Sequence, residues 1–177
     1  MKKGFALLLA AAATFGFSKK ADAQVYSQGA KLLNVGVGLG AGYGGGLPIG
    51  LAFDYGVTKN ISVGVQADYM SWSYSYPGLG EYTYRFIPVG VRGAYHFDGI
   101  GDPNKVDLYL GLVLGYWISS YTAPSGSSTA TFSDSYGSKV LVGGIAGGRY
   151  MFTPKIGAFA ELGYSVSYGK VGITFKF

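Results

Sequence analysis

Few residues in this chain could do chemistry, and most of them fall where strand alternation would collect them on one face. Asp54, Asp68 and Glu161 supply carboxylates, and Arg92, Arg149 and Lys176 supply cations. Buried charges persist only when paired, so in a protein interior this near-balanced set predicts a network of ion pairs. The competing chemistry is a narrow polar path for small solutes, lined by the same groups. His96 is the single histidine and there is no cysteine, so a zinc site lacks ligands and none is expected. His96 is expected at a rim, away from the serine-rich loops, where it cannot complete a nucleophilic triad. Gly40, Gly42 and Gly45 match G-x-G-x-x-G, but no helical pattern follows, so a nucleotide site is not expected. Asn60-Ile61-Ser62 matches a glycosylation sequon by chance composition of a turn. No catalytic, metal or cofactor-binding residue emerges, and the chain reads as a non-enzyme.

The elements that position these residues are copies of one nine-residue frame. Val35–Tyr43 reads VGVGLGAGY, with Val35, Val37, Leu39, Ala41 and Tyr43 on one face and four glycines on the other. Leu47–Tyr55, Ile61–Tyr69, Ile87–Tyr95, Leu108–Tyr116, Val142–Tyr150 and Ile156–Tyr164 repeat it, and Gly169–Phe177 closes the series on an aromatic. Period-two alternation predicts strands between two unlike environments. A tilted strand crosses a bilayer in about 9–11 residues, which is the length of the frame. In lipid every backbone group must be paired within the protein, so eight such strands predict an antiparallel up-and-down β-barrel. A soluble barrel of lipocalin type would turn its apolar face inward. Here the non-aliphatic face carries Gln66, Asp68, Arg92, Arg149, Glu161 and Lys176, which argues against that carrier reading.

The connections alternate in kind. Gly56–Asn60, His96–Asp107 and Met151–Lys155, two of them compact, carry turn residues and are expected on the periplasmic side, whereas Met70–Phe86 and Trp117–Leu141 are longer and are expected outside. Gly44–Gly46 and Ser165–Tyr168 also fall outside by parity but are exceptions in length. Tyr43, Tyr69, Tyr116 and Tyr164 then form an outer rim, and Tyr55, Tyr95, Tyr150 and Phe177 an inner one, as expected at two membrane–water interfaces. The sixth frame presents only Val142, Gly144, Ala146, Gly148 and Tyr150 to the outside. Its thin strip is read as lipid-facing, in preference to a partner-packing face or a bulge that would turn Ile145 outward.

The N-terminal stretch, with Lys2 and Lys3 before an apolar run to Phe17 and then Ala21-Asp22-Ala23, is expected to be a signal peptide over residues 1–23. The barrel domain then spans residues 24–177. Without the leader the net charge falls from +5 to +2, so the basic balance is no argument for a nucleic-acid partner. The absence of cysteine excludes disulfide stapling.

With these frames and the terminal VGITFKF, the chain from about Leu33 to Phe177 resembles the small eight-stranded outer-membrane barrels of the OmpA transmembrane-domain and OmpX type. The resemblance implies that Phe177 is an assembly signal read by the barrel-assembly machinery. The chain departs from full OmpA-type proteins in that no wall-binding domain is expected after Phe177, so a wall-anchoring role is not carried over. It implies a bacterial outer-membrane protein, lipid-embedded and monomeric. An eight-stranded barrel is just wide enough to be filled by side chains, so a large pore is not expected. The expected role is structural or surface-interacting, adhesion-like, with a narrow channel or transport accessory as the alternative. The contact candidates are Trp72, Tyr74, Tyr76, Tyr82 and Tyr84, which flank the Pro77-Gly78-Leu79-Gly80 turn. Such aromatics could hold an extracellular protein or glycan, or could simply pair across the hairpin and stiffen it.

Overall fold

Alternating aliphatic and small or polar residues favour a pleated strand with one face in each environment. The structure, a computed structural model, describes residues 24–41, 47–76, 80–122 and 139–177. It contains eight strands: β1 (Lys31–Ala41), β2 (Ile49–Gly56), β3 (Ile61–Tyr76), β4 (Gly80–Phe97), β5 (Val106–Thr122), β6 (Lys139–Met151), β7 (Ile156–Tyr164) and β8 (Ser167–Lys176). Each pairs antiparallel with the next, and β1 closes on β8 from Leu32↔Lys176 to Ala41↔Ser167. No sheet edge is left open, so every strand has ladder partners on both sides.

The nine-residue frames overlap the strands without fixing their ends. β3, β4 and β5 run well beyond their frames, and the β3–β4 ladder continues from Met70↔Phe86 to Tyr76↔Gly80. The alternation holds throughout β6: Ile145 is buried inside and Ala146 is exposed, with no register break against β5 or β7. The thin outward strip of β6 is therefore a regular face, and Ile145 is not turned outward by a bulge.

The two compact turns at the inner end share one device. Thr58 Oγ1 accepts hydrogen bonds from Asn60 N and Ile61 N, and Thr153 Oγ1 accepts them from Lys155 N and Ile156 N. A short threonine side chain thus supplies the acceptor that the tight backbone cannot. Asn60 is buried and donates to the His96 carbonyl at 2.9 Å and to Asp98 at 2.7 Å. Its amide is structural, which is a physical reason for setting the sequon aside.

The segment before β1 folds under the inner mouth of the barrel. Val25 N donates to the Pro103 carbonyl, Gly29 N to Gly56, and Gly56 N to Ala30. Tyr26, Ala30 and Leu32 form a small apolar cluster, and Val25 is fully buried. A larger cluster, Met70, Phe86, Tyr109, Val113, Trp117, Leu141, Ile145 and Val166 among it, fills the lumen towards the other end.

Candidate functional site: the charged lumen

Between these two apolar ends lies a polar layer to which all eight strands contribute. Arg149 on β6 is its hub. Its Nη1 donates to Asp107 Oδ2 at 2.7 Å, its Nε to Asn34 Oδ1 at 3.2 Å, and its Nη2 to Asp54 Oδ2. Its guanidinium also lies 4.3 Å from the Tyr109 ring centroid, a cation–π contact. Arg92 on β4 donates through Nη2 to Glu161 Oε1 at 2.6 Å, and its Nε stands 3.0 Å from Asp54 Oδ1 in an angle too poor for a hydrogen bond. Tyr109 donates its hydroxyl proton to the same Glu161 oxygen at 2.7 Å. Thr174 Oγ1 donates to Asn34 Oδ1 at 2.8 Å. Glu161, Arg92, Asp54, Arg149 and Asp107 therefore form one continuous chain of alternating sign.

His96 extends that chain. Its Nδ1 lies 2.7 Å from Asp107 Oδ1, its Nε2 lies 2.9 Å from Ser62 Oγ, and the Tyr26 ring stacks on it at 3.5 Å with planes only 2° apart. One expectation is corrected here. His96 is buried inside the inner end and not merely placed at a rim, because its position has the same parity as Arg92 and Ala94. It also meets a serine and a carboxylate in the order of a nucleophilic triad, with the serine supplied by β3 and not by a loop. Ser62 has no exposed surface and the Tyr26 ring covers the imidazole face, so this arrangement holds the mouth closed and offers no room for an acyl substrate. Tyr26 itself donates to the Thr58 carbonyl at 3.1 Å. Burial, with Asp107 and Asp54 adding to it, pushes its phenol up to about 12, so it serves as a neutral donor.

Of the six charges singled out in the sequence, Asp54, Arg92, Arg149 and Glu161 belong to this chain. Asp68 is buried apart from it, paired with Lys170 Nζ at 2.5 Å. Lys176 does not join the lumen network: it is half-buried at the inner end, where its ammonium donates to the Gln24 carbonyl. Strand β8 carries both lysines on its inward face, and barrel stagger brings Lys170, not Lys176, to the level of a carboxylate. Asp107, Asn34, Tyr109, Ser62 and Lys170 carry no such signal in the sequence, and His96 is expected only at a rim. Asp107 and His96 sit just outside their frames, yet extending the alternation by one or two positions places both inward.

Inward glycines make this layer possible. A Cβ on Gly147 would stand 2.6 Å from Tyr109 Cε2 and Oη, and one on Gly50 would overlap the Asp68 carboxylate. In both cases the side chain is that of the directly paired residue on the next strand, Tyr109↔Gly147 and Gly50↔Asp68. The glycine leaves the space over which its neighbour lies. A void of about 10 Å³ beside Gln66, Glu161, Ser165 and Lys170 would hold roughly one water. A broader apolar concavity lined by Phe53, Val63, Val65, Val91, Leu112 and Leu114 lies on the outer wall, among outward-facing side chains, and is no lumen.

In the β3–β4 hairpin, Trp72 and Tyr84 are direct cross-strand partners with ring centroids 5.9 Å apart, and Trp72 stacks on Phe86 at 4.9 Å. Both are half-buried against the outer lumen cluster, the arrangement of a stiffened hairpin. The side chains of Tyr74, Tyr76 and Tyr82 lie outside the described residues, as do Tyr43 and residues 1–23, where the signal peptide is expected.

No family model matches the sequence, and no curated protein matches it. Solved structures do. OprG, an outer-membrane protein of Pseudomonas aeruginosa, superposes with a TM-score of 0.62 at 16% identity, over 86% of this chain and 97% of that one. The N-terminal β-barrel domain of Pseudomonas aeruginosa OprF gives 0.56 at 13% identity, over 85% and 98%. Ail, the attachment invasion locus protein of Yersinia pestis, solved in complex with the heparin analogue sucrose octasulfate, gives 0.52 at 16% identity, over 85% and 99%. The chain has the fold of the small eight-stranded outer-membrane barrels.

Proposed function

We propose that this protein is an integral barrel of the bacterial outer membrane, with a structural or surface-interacting role exercised through the loops and hairpin at its outer end. The observation that carries this is the opposition of its two faces. The outward positions form an aliphatic band, among them Val37, Ile49, Val65, Val91, Leu112 and Ile173, bounded by exposed aromatics at Tyr55, Tyr95, Tyr150 and Phe177 on one side and Tyr69, Tyr116 and Tyr164 on the other. An exterior of this kind suits lipid and is ill suited to water. The interior is blocked by the ion-pair layer and by residues 24–30 below it, which weighs against the channel reading. The site is structural and not catalytic, it needs no cofactor, and the protein acts as a monomer. Its partners are membrane lipid, the barrel-assembly machinery during insertion, and an extracellular protein or glycan.

Deleting Ser73–Thr83 separates the readings. The shortened chain should keep heat-modifiable gel mobility and outer-membrane fractionation while cells displaying it lose retention on a heparin-coated surface, a probe suggested by the ligand in the Ail complex. Undiminished retention would remove the hairpin from the binding role. Stable unitary conductance of the intact protein in planar bilayers would overturn the closed lumen.

A further inference from the structure

Past Lys31 at the inner end, the outward face of the described strands is apolar until one row near its outer end. Ser71 on β3 is the cross-strand partner of Arg85 on β4, and Arg85 is the partner of Ser120 on β5. All three face outward, since Phe86 beside Arg85 is buried and Ile87 is exposed. The next row inward is apolar: Ile87 pairs with Ile118, and the same register sets Tyr69 beside Ile87. The next row outward is polar, with Ser73 and Thr83 hydroxyls 2.9 Å apart. Between Lys31 at the inner end and this row, Arg85 is the only charged side chain at an outward position among the described residues. It makes no ion pair with any described residue, and hydroxyls stand on both sides of it.

A guanidinium at the boundary between an apolar band and a hydroxyl-bearing strip matches an amphiphile with an anionic head. Arg offers parallel N–H donors suited to phosphate oxygens, and serine hydroxyls can supply further donors. We propose that Ser71, Arg85 and Ser120 bind the phosphate headgroup of a membrane lipid, whose acyl chains lie along Tyr69, Ile87 and Ile118. The site rests on the membrane orientation proposed above, which places this row at the outer interface.

The test uses the full chain folded in neutral detergent micelles, with dioleoyl phosphatidic acid as the probe and retention read by native mass spectrometry. Arg85→Gln should weaken retention about five- to ten-fold, Arg85→Lys less, and Ser71→Ala/Ser120→Ala about two- to three-fold. Dioleoylglycerol, which lacks the phosphate, should bind both wild type and Arg85→Gln weakly and equally. Inorganic phosphate at matched concentration should not displace the lipid. Equal retention by wild type and a folded Arg85→Gln, or displacement by free phosphate, would overturn the site while leaving the barrel reading intact. A wild-type chain that fails to acquire heat-modifiable mobility in micelles would overturn both.

Discussion

Arg149→Met removes the hub of the lumen network while leaving a side chain of similar length. The substitution strips Asp107 of its 2.7 Å partner and Asp54 of one of its two cations, and it ends the cation–π contact with Tyr109. Asp107 keeps His96 and Asp54 keeps Arg92, so neither carboxylate is wholly abandoned. Breaking one side of a buried ion pair costs about 3–5 kcal/mol, and these surviving partners put the expected loss near the lower figure. At a urea slope of about 2 kcal/mol/M, 3 kcal/mol lowers the unfolding midpoint by about 1.5 M. Trp72 and Trp117 are the only tryptophans and lie in or against the lumen cluster, so their fluorescence in lipid vesicles reports the transition. Adding Asp107→Asn should recover at least about 1 kcal/mol relative to the sum of the two single losses, because it removes the charge that Arg149→Met leaves short of a partner. A loss under about 1 kcal/mol, or strict additivity, would mean that the layer fills the lumen without being held together by its charges.

Gly147→Ala should cost about 1–3 kcal/mol in the same unfolding assay, since its methyl would displace the Tyr109 ring and with it the bond to Glu161. Tyr26→Ala should unseat the N-terminal segment, with faster amide exchange at Val25 and Gly56 and little change at strand amides such as Val65. The Tyr26 phenol is raised to about 12, so the folded protein holds that proton above pH 10 more tightly than the unfolded chain. Seating should therefore be intact below pH 10 and be lost on approach to pH 12, and ultraviolet titration of wild type against Tyr26→Phe would reveal the late-titrating tyrosine. Phe177→Ala should keep the backbone bond from residue 177 to the Lys31 carbonyl but lose an inner-rim aromatic, giving slower insertion into vesicles and a lower outer-membrane yield.

Much of the barrel could be read from residue order alone. The period of a strand is two, so once Val63 and Val65 are set outward, Ser62, Gly64 and Gln66 must face in, and the same arithmetic works for every frame. Trp72 and Tyr84 carry the limits of such reading. Their types suggested a binding arm, and the alternative, pairing across the hairpin, needed the partner strand's register to be decided. Arg92 and Glu161 stand at similar heights in their frames and do meet, whereas the same counting does not place Lys176, whose ammonium meets the Gln24 carbonyl.

The physical reason lies in closure. A sequence determines which face of its own strand a residue occupies, because that depends on local geometry alone. Here it determined eight alternating frames, two aromatic rims, an apolar exterior and a charged interior. Which charges meet across the lumen depends on the stagger accumulated around all eight strands, and no single strand encodes that quantity. Only the closed barrel brings Lys170 to Asp68, spaces Arg149 between Asp54 and Asp107, and lines Ser62, His96 and Asp107 in a row. Likewise Val25 and Tyr26 have no alternation to announce them. They become a stopper only because the folded inner mouth presents the Pro103 carbonyl and the face of His96 to receive them.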